Sequence, residues 1–189
     1  MEADRVRWDK RFDERPLTQP SVPAFFVEQS VSLPWGRALD VASGDGAVAL
    51  WFARQGYDVT AMDISSVALS RLQGFADQEK LLINCKNIDL DDRSALETGL
   101  TETYELICLA HFKPSQELLE FLGSCLAPGG QLLLSTFNLQ HHQHNGFSKR
   151  FCLTPGEFQS SVDGLHCVHY QSVRRGDSFM DDYRWQCSS

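Results

Sequence analysis

Arg37-Ala-Leu-Asp-Val-Ala-Ser-Gly-Asp-Gly46 decides how the rest of the chain is read. A short apolar run, Arg37 to Val41, passes directly into Ser43-Gly-Asp-Gly46. Two glycines one residue apart let the backbone turn sharply and leave it bare enough for a ligand to approach closely. Helical spacing follows at once, from about Ala47 to Gln55, with Gly56 as its natural stop. A strand, a glycine turn and a helix in that order form the opening unit of a parallel α/β sheet.

Downstream the alternation continues. Tyr57 to Met62 is β-rich and ends at Asp63, and Ser65 or Ser66 caps a helix carrying Val67, Leu69 and Leu72. Leu81 to Cys85 and Tyr104 to Leu109 read as the third and fourth strands, with a helix containing Leu118, Leu119 and Leu122 after Pro114. Pro128-Gly-Gly130 reads as a turn before a fifth strand, Gln131 to Phe137. Short apolar strands separated by helices predict a doubly wound, Rossmann-like sheet covered on both faces. After Phe137 the rhythm breaks. Residues 138–153 are polar, offer only Leu139 to a core, and predict a lid loop. A short helix over 154–161 and two closing strands, 165–173 and 179–186, complete the domain. Upstream, helical pieces at Ala3 to Phe12 and Pro23 to Val31 flank Pro16 and Pro20, so residues 1–35 read as a helical cap.

The 189 residues fit one domain, and 42% hydrophobic content with 12 Phe is enough to fill a core without staples. A net charge of −8 argues against nucleic acid as a partner, because phosphate binding draws on clustered Lys and Arg. Six cysteines are dispersed with no C-x-x-C pair, which suggests neither a zinc knuckle nor a redox dithiol. The charged start, Met1-Glu-Ala-Asp-Arg5, is unlike a signal peptide, and no stretch suits a bilayer. A reducing cytoplasm, with no membrane partner, is the expectation.

In open parallel sheets ligands bind beyond the carboxyl ends of the strands, at the point where strand order reverses. The glycine loop lies there. Gly44-x-Gly46-x-x-Ala49 also satisfies a dinucleotide fingerprint, with Asp63 at the offset of a ribose-binding acid. Charge separates the two nucleotides. A pyrophosphate would meet Asp40 and Asp45, and a like-charge contact at ~4 Å costs about 4 kcal/mol at an effective dielectric near 20. S-adenosylmethionine carries an ammonium and a sulfonium instead and suits an acidic loop. Asp63 can then accept from both ribose hydroxyls. Asp89, after the third strand, can meet the adenine amino group, and the Leu90 N–H the ring nitrogen beside it.

These residues resemble the class I S-adenosylmethionine-dependent methyltransferases, and more narrowly a small bacterial branch grouped with tellurite-resistance and thiopurine-type enzymes. The similarity covers Trp8-Asp-Lys-Arg-Phe12, Ala38 to Gly46, Val59 to Ser65, Asn87 to Leu90, His111, Leu126 to Gly130 and Cys152 to Phe158. It implies the strand order 3-2-1-4-5-7-6 with the last strand antiparallel. It also implies a cofactor surrounded by Asp40, Ala42, Ser43, Gly44, Asp63, Ile64, Asp89, Leu90 and Ala110. Trp8 would cover that cofactor and Arg11 pair with its carboxylate. Ala42 departs from the pattern, standing where the family usually has its first glycine.

His111 follows the fourth strand and is the candidate general base, needed only where the acceptor atom must lose a proton. A substrate-orienting or simply packed histidine is the competing account. The motifs of DNA amino-methylating and cytosine-C5 enzymes are absent, since this region reads Ala110-His-Phe-Lys-Pro114 and no Pro-Cys pair occurs. A small-molecule substrate is therefore expected, with the acceptor and the oligomeric state left open. His141, His142 and His144 in a polar loop read as solvated rather than metal-binding. Lys149 and Arg150 stand at the rim, able to attract an anion or merely to solvate it. The alternatives are a nicotinamide-dependent oxidoreductase, which NAD would stabilise, and a catalytically silent cofactor-binding module.

Overall fold

The computed structural model describes residues 2–159 and 162–187. Helices α1 (Glu2–Asp13) and α2 (Ala24–Gln29) precede β1 (Arg37–Val41), α3 (Ala47–Arg54), β2 (Asp58–Asp63), α4 (Ser66–Glu79) and β3 (Ile83–Asn87). Then come α5 (Arg93–Gly99), β4 (Tyr104–Ala110), α6 (Gln116–Ser124), β5 (Leu126–Phe137), α7 (Leu139–Asn145), β6 (Leu165–Arg175) and β7 (Ser178–Cys187). Among the described residues the strands form one seven-stranded sheet, ordered β3-β2-β1-β4-β5-β7-β6. The pairs from β3 through to β5 are parallel, and β7 runs antiparallel to both β5 and β6. Strand order and direction are those expected.

Alternation along each strand divides the core into two layers. Leu39, Val41, Ile107, Leu109, Leu132 and Leu134 face one way, toward α5 and α6. Ala38, Val59, Ala61, Leu106 and Leu133 face the other, against α2, α3 and α4. Each fully buried Leu contributes about 1.5–3 kcal/mol relative to exposure. Local chemistry starts the helices. Ser65 accepts the Ala68 N–H at 3.1 Å, and Asp92 and Ser115 cap α5 and α6 in the same way. A salt bridge from Arg175 to Glu28 at 2.6 Å and to the buried Asp182 at 2.8 Å ties α2 to the sheet. No helix among the described residues is long and apolar enough to cross a membrane.

Several elements differ from expectation. The third strand sits later, at Ile83–Asn87 rather than 81–85, with Leu82 exposed before it. Pro128-Gly-Gly130 lies within β5, as an irregularity between the pairs Tyr104↔Leu126 and Leu106↔Gln131, and not as a turn before the strand. Helix α5 was not anticipated, because it offers a single buried apolar residue, Leu96, to any periodic count. The predicted loop after Phe137 is largely helical. Asn138 caps α7 by accepting the Gln140 N–H at 3.0 Å, Gly146 ends it at φ 64°, and a 3₁₀ turn follows at Lys149–Phe151. The helix predicted over 154–161 is instead a pair of tight turns, Glu157 N–H to Thr154 O and Gln159 N–H to Gly156 O. Residues 160 and 161 lie outside the described residues.

Candidate active site

Along the carboxyl edge of the sheet the bodies of β1, β2, β4 and β5 are largely buried, whereas Ala42, Ser43, Gly44, Ile64, Asp89, Leu90, Ala110 and Phe137 are half-exposed and His111 is open. This row is the crevice that the strand-order reversal between β1 and β4 creates. Its first wall is the glycine loop. Ala42 adopts φ 54°, Gly44 φ 53° and Gly46 φ 92°. A side chain disfavours such values, so Ala42 occupies a left-handed position that glycine would fill without strain. A Cβ on Gly44 would lie 3.0 Å from the Phe12 ring, so the loop and α1 meet closely there.

Two buried acids hold the loop in place. The Gly44 N–H donates to Asp63 Oδ2 and the Ser65 N–H to Asp63 Oδ1, both at 2.8 Å. The Asp63 pKa is pushed up by burial, against the pull of the Ser65 and Gly44 N–H groups, and Asp9 adds repulsion. The Ala49 N–H donates to Asp40 Oδ2 at 2.8 Å. Burial pushes the Asp40 pKa up to about 8, with the Ala49 N–H opposing and Asp63 adding to the rise. From the sequence, Asp40 and Asp45 count as two negative charges at the loop. In the structure Asp40 lies behind it and holds a proton near neutrality, and Asp45 pairs with Arg71 at 3.4 Å and Arg15 at 4.0 Å. The acidic field expected at the loop is therefore largely cancelled, and its selectivity against phosphate must come from elsewhere.

Other features fit a nucleoside. The Ser43 hydroxyl is buried with no hydrogen-bond partner among the described residues, an orphan at the loop that a bound group can satisfy. A cleft of about 120 Å³ opens between Glu2, Arg5, Ile64, Asn87 and Asp89, several times the volume of a water molecule. Asn87 braces it by donating from Nδ2 to the carbonyls of Asp63 at 3.0 Å and Ile64 at 2.9 Å. Asp89 Oδ1 accepts the Asp91 N–H at 3.0 Å, which orients its carboxylate at the cleft.

Helix α1 packs beside the crevice, with Glu2 and Arg5 at the cleft and Phe12 against the loop. The sequence reading singled out Trp8 and Arg11 but missed the two residues that anchor them. Asp9 Oδ1 accepts the Ser65 hydroxyl at 2.7 Å and the Val67 N–H at 3.3 Å, fastening α1 to the start of α4. Phe12 is buried against the loop. Arg71 completes the clasp by donating to the carbonyls of Arg15 at 3.1 Å and Pro16 at 2.7 Å. Asp9 and Phe12 lay inside the quoted Trp8 to Phe12 stretch, but nothing local shows what a residue 56 positions away contributes. Arg11 lies 5.1 Å over the Trp8 ring and has no ion pair among the described residues. Its pKa is lowered by burial and then by repulsion from Arg15 and Arg7.

At the far end, His111 holds φ 55° while its N–H donates to the Ser135 carbonyl at 2.8 Å. Its imidazole stacks on Phe137 at 5.1 Å. Although its surface is open, its pKa is pushed down by desolvation, then by Arg15 and His141. A histidine kept neutral in this way is ready to take a proton. Of the histidines on α7, His141 packs on Phe137 at 4.3 Å, with its Nδ1 2.8 Å from Asn145 Nδ2. His142 and His144 contact backbone carbonyls through Nδ1.

Residues 10–174 match the methyltransferase-domain family. A ubiquinone biosynthesis O-methyltransferase from Coxiella burnetii is 30% identical over 115 residues, 60% of this chain and 48% of that protein. One of the same description from Histophilus somni is 28% identical over 138 residues, 69% of this chain and 58% of that protein. The chain thus spans about half the length of the curated relatives it matches. Among solved structures, TehB from Haemophilus influenzae superposes with a TM-score of 0.69 at 14% identity, covering 96% of this chain and 67% of that one. An S-adenosylmethionine-dependent methyltransferase from Clostridium acetobutylicum gives 0.68 at 11%, covering 100% and 99%. These likenesses concern the fold; the family match covers most of the sequence. The chain belongs to the methyltransferase-domain family.

Proposed function

We propose that this chain methylates a hydroxyl, or another proton-bearing heteroatom, of a small molecule, with His111 as general base. The observation that carries the reading is the placement of a neutral, open imidazole at the end of β4, on the same crevice edge as the glycine loop. When bound, S-adenosylmethionine supplies a methyl group on a positively charged sulfur. In the transfer the acceptor oxygen gains the methyl carbon, its proton passes to His111, and the bonding pair stays on the sulfur.

The chain's own residues divide the remaining work. Asp63 would receive the ribose hydroxyls and Asp89 the adenine amino group, since a carboxylate accepts several hydrogen bonds at once. The Leu90 N–H would serve the adenine ring, the Ala42 to Gly44 backbone and the Ser43 hydroxyl would hold the methionine part, and Ala110 and Ile64 would supply apolar sides. Arg11 would take the cofactor carboxylate and Trp8 would cover it. Helix α1 and the 139–151 segment act as the two sides of a cover. Excluding water in this way lets alignment supply up to about 7–11 kcal/mol of the barrier reduction.

The homologues' descriptions name an O-methyltransferase, which supports an oxygen acceptor of small size. Calorimetry with S-adenosylhomocysteine tests the cofactor half, and His111→Gln tests the base. The expected result is undiminished S-adenosylhomocysteine affinity with turnover of a small hydroxyl acceptor reduced about 10²–10⁴-fold. Equal turnover by His111→Gln and wild type would remove His111 from the mechanism, and cofactor binding without turnover of any acceptor would favour a silent module.

A further inference from the structure

The acceptor end of the crevice carries a band of aromatic rings. His111 stacks on Phe137 at an interplanar angle of 15°, and Phe137 on His141 at 17°. Phe147 leans on Phe137 at 4.8 Å, and Phe151 follows 6.1 Å from Phe147. Phe137, Phe147, Phe151 and Trp8 are all only half-buried, so the band presents ring surface to solvent instead of hiding it in the core. Half-exposed aromatics grouped in this way favour a flat partner, because offset stacking adds to simple area burial.

The band is rimmed by cations, in a protein whose overall charge is −8. Arg150 lies 4.4 Å over the Phe151 ring. Arg7 sits 5.7 Å over Phe151 and 5.6 Å over Trp8, joining α1 to the 3₁₀ turn across the opening. Acidic neighbours offset this charge only in part. Arg7 pairs with the exposed Asp4 at 2.9 Å, Arg15 reaches Asp45 at 4.0 Å while Asp45 is shared with Arg71, and Arg150 has no ion pair among the described residues.

From the juxtaposition of these rings and arginines we infer that the acceptor is a planar aromatic anion, its ring lying on the Phe137–Phe151 band and its acidic group meeting Arg150 and Arg7. This rests on the methyltransferase reading above and adds the substrate's shape and charge. The ring places the reacting hydroxyl at His111, and the anionic group at the opposite end holds it there. A cation of the same size would meet like charge at the entrance.

The test is calorimetry on the full chain saturated with S-adenosylhomocysteine, titrated with four probes: caffeate, catechol, dopamine and succinate. Caffeate, catechol and dopamine share a dihydroxylated ring and differ in charge, whereas succinate has charge without a ring. Caffeate should bind most tightly, and Arg150→Gln should weaken it about fivefold, the loss of one partly exposed ion pair. Rescue by Arg150→Lys would distinguish lost charge from a disturbed fold. Equal binding of caffeate and dopamine, tighter binding of dopamine, or an Arg150→Gln protein with unchanged caffeate affinity would overturn the anion assignment. Succinate binding as well as caffeate would overturn the ring assignment. Failure to bind S-adenosylhomocysteine in the first place would instead strike the methyltransferase reading, and this inference with it.

Discussion

Replacing Asp40 by Asn probes the buried acid beneath the glycine loop. Asp40 is 3% exposed, and its pKa in the folded chain stands at about 8. An unfolded aspartate titrates near ~4. Between these values the folded chain holds a proton that the unfolded chain has released. Stability from this source is complete below the unfolded value and declines as pH rises, by a little over ~1 kcal/mol per pH unit, until the folded carboxyl itself ionises. From about pH 6 to about pH 8 the wild type should lose on the order of 2 kcal/mol through Asp40 alone. For a chain of this size that is roughly 4–8 °C in Tm. Asparagine keeps a carbonyl oxygen for the Ala49 N–H and has nothing to titrate, so Asp40→Asn should lack this slope. Asp63 has a raised pKa too, but it is present in both proteins and largely cancels in the comparison. Thermal melts followed by circular dichroism at constant ionic strength would give the two curves. Parallel curves would mean that Asp40 is already ionised at the lower pH, and the account of the loop would be wrong.

Three further outcomes follow from the geometry. Because the His111 pKa is lowered, the rising limb of kcat against pH should sit below the ordinary histidine value of ~6.5; a limb above it would exclude His111 as the base. Asp9→Ala removes the acceptor for Ser65 Oγ and Val67 N–H, and should cost about 1 kcal/mol in denaturant melts while weakening S-adenosylhomocysteine binding. Unchanged cofactor affinity would show that α1 does not cover the site. At position 42 the left-handed backbone predicts Gly at least as stable as Ala and Val less stable by roughly 1–3 kcal/mol; a Val variant with wild-type Tm would contradict that.

Nearest-neighbour chemistry made the fold readable. Hydrophobic strands ending in Gly44-x-Gly46, the Ser65 cap and the alternation of elements depend on residues within a few positions of one another. The same information hid α5, whose single buried Leu96 makes no periodic stripe, and α7, whose polar surface disguised a helix capped by Asn138. The candidate residues Ala42, Ser43, Gly44, Ile64, Asp89, Leu90, Ala110 and His111 were legible for the same local reason, since each closes or follows a strand.

What tertiary structure alone decided was which charges survive and which rings meet. Asp40 and Asp45 look alike in the sequence, yet one is buried and protonated near neutrality and the other is paired with Arg71 and Arg15. Arg7 and Phe151 face each other across the opening although most of the chain lies between them. Strand and helix signals are short-range and survive in the linear order. Protonation, ion pairing and ring stacking depend on distances of a few ångströms between remote segments, and those distances exist only once the sheet has brought the segments together.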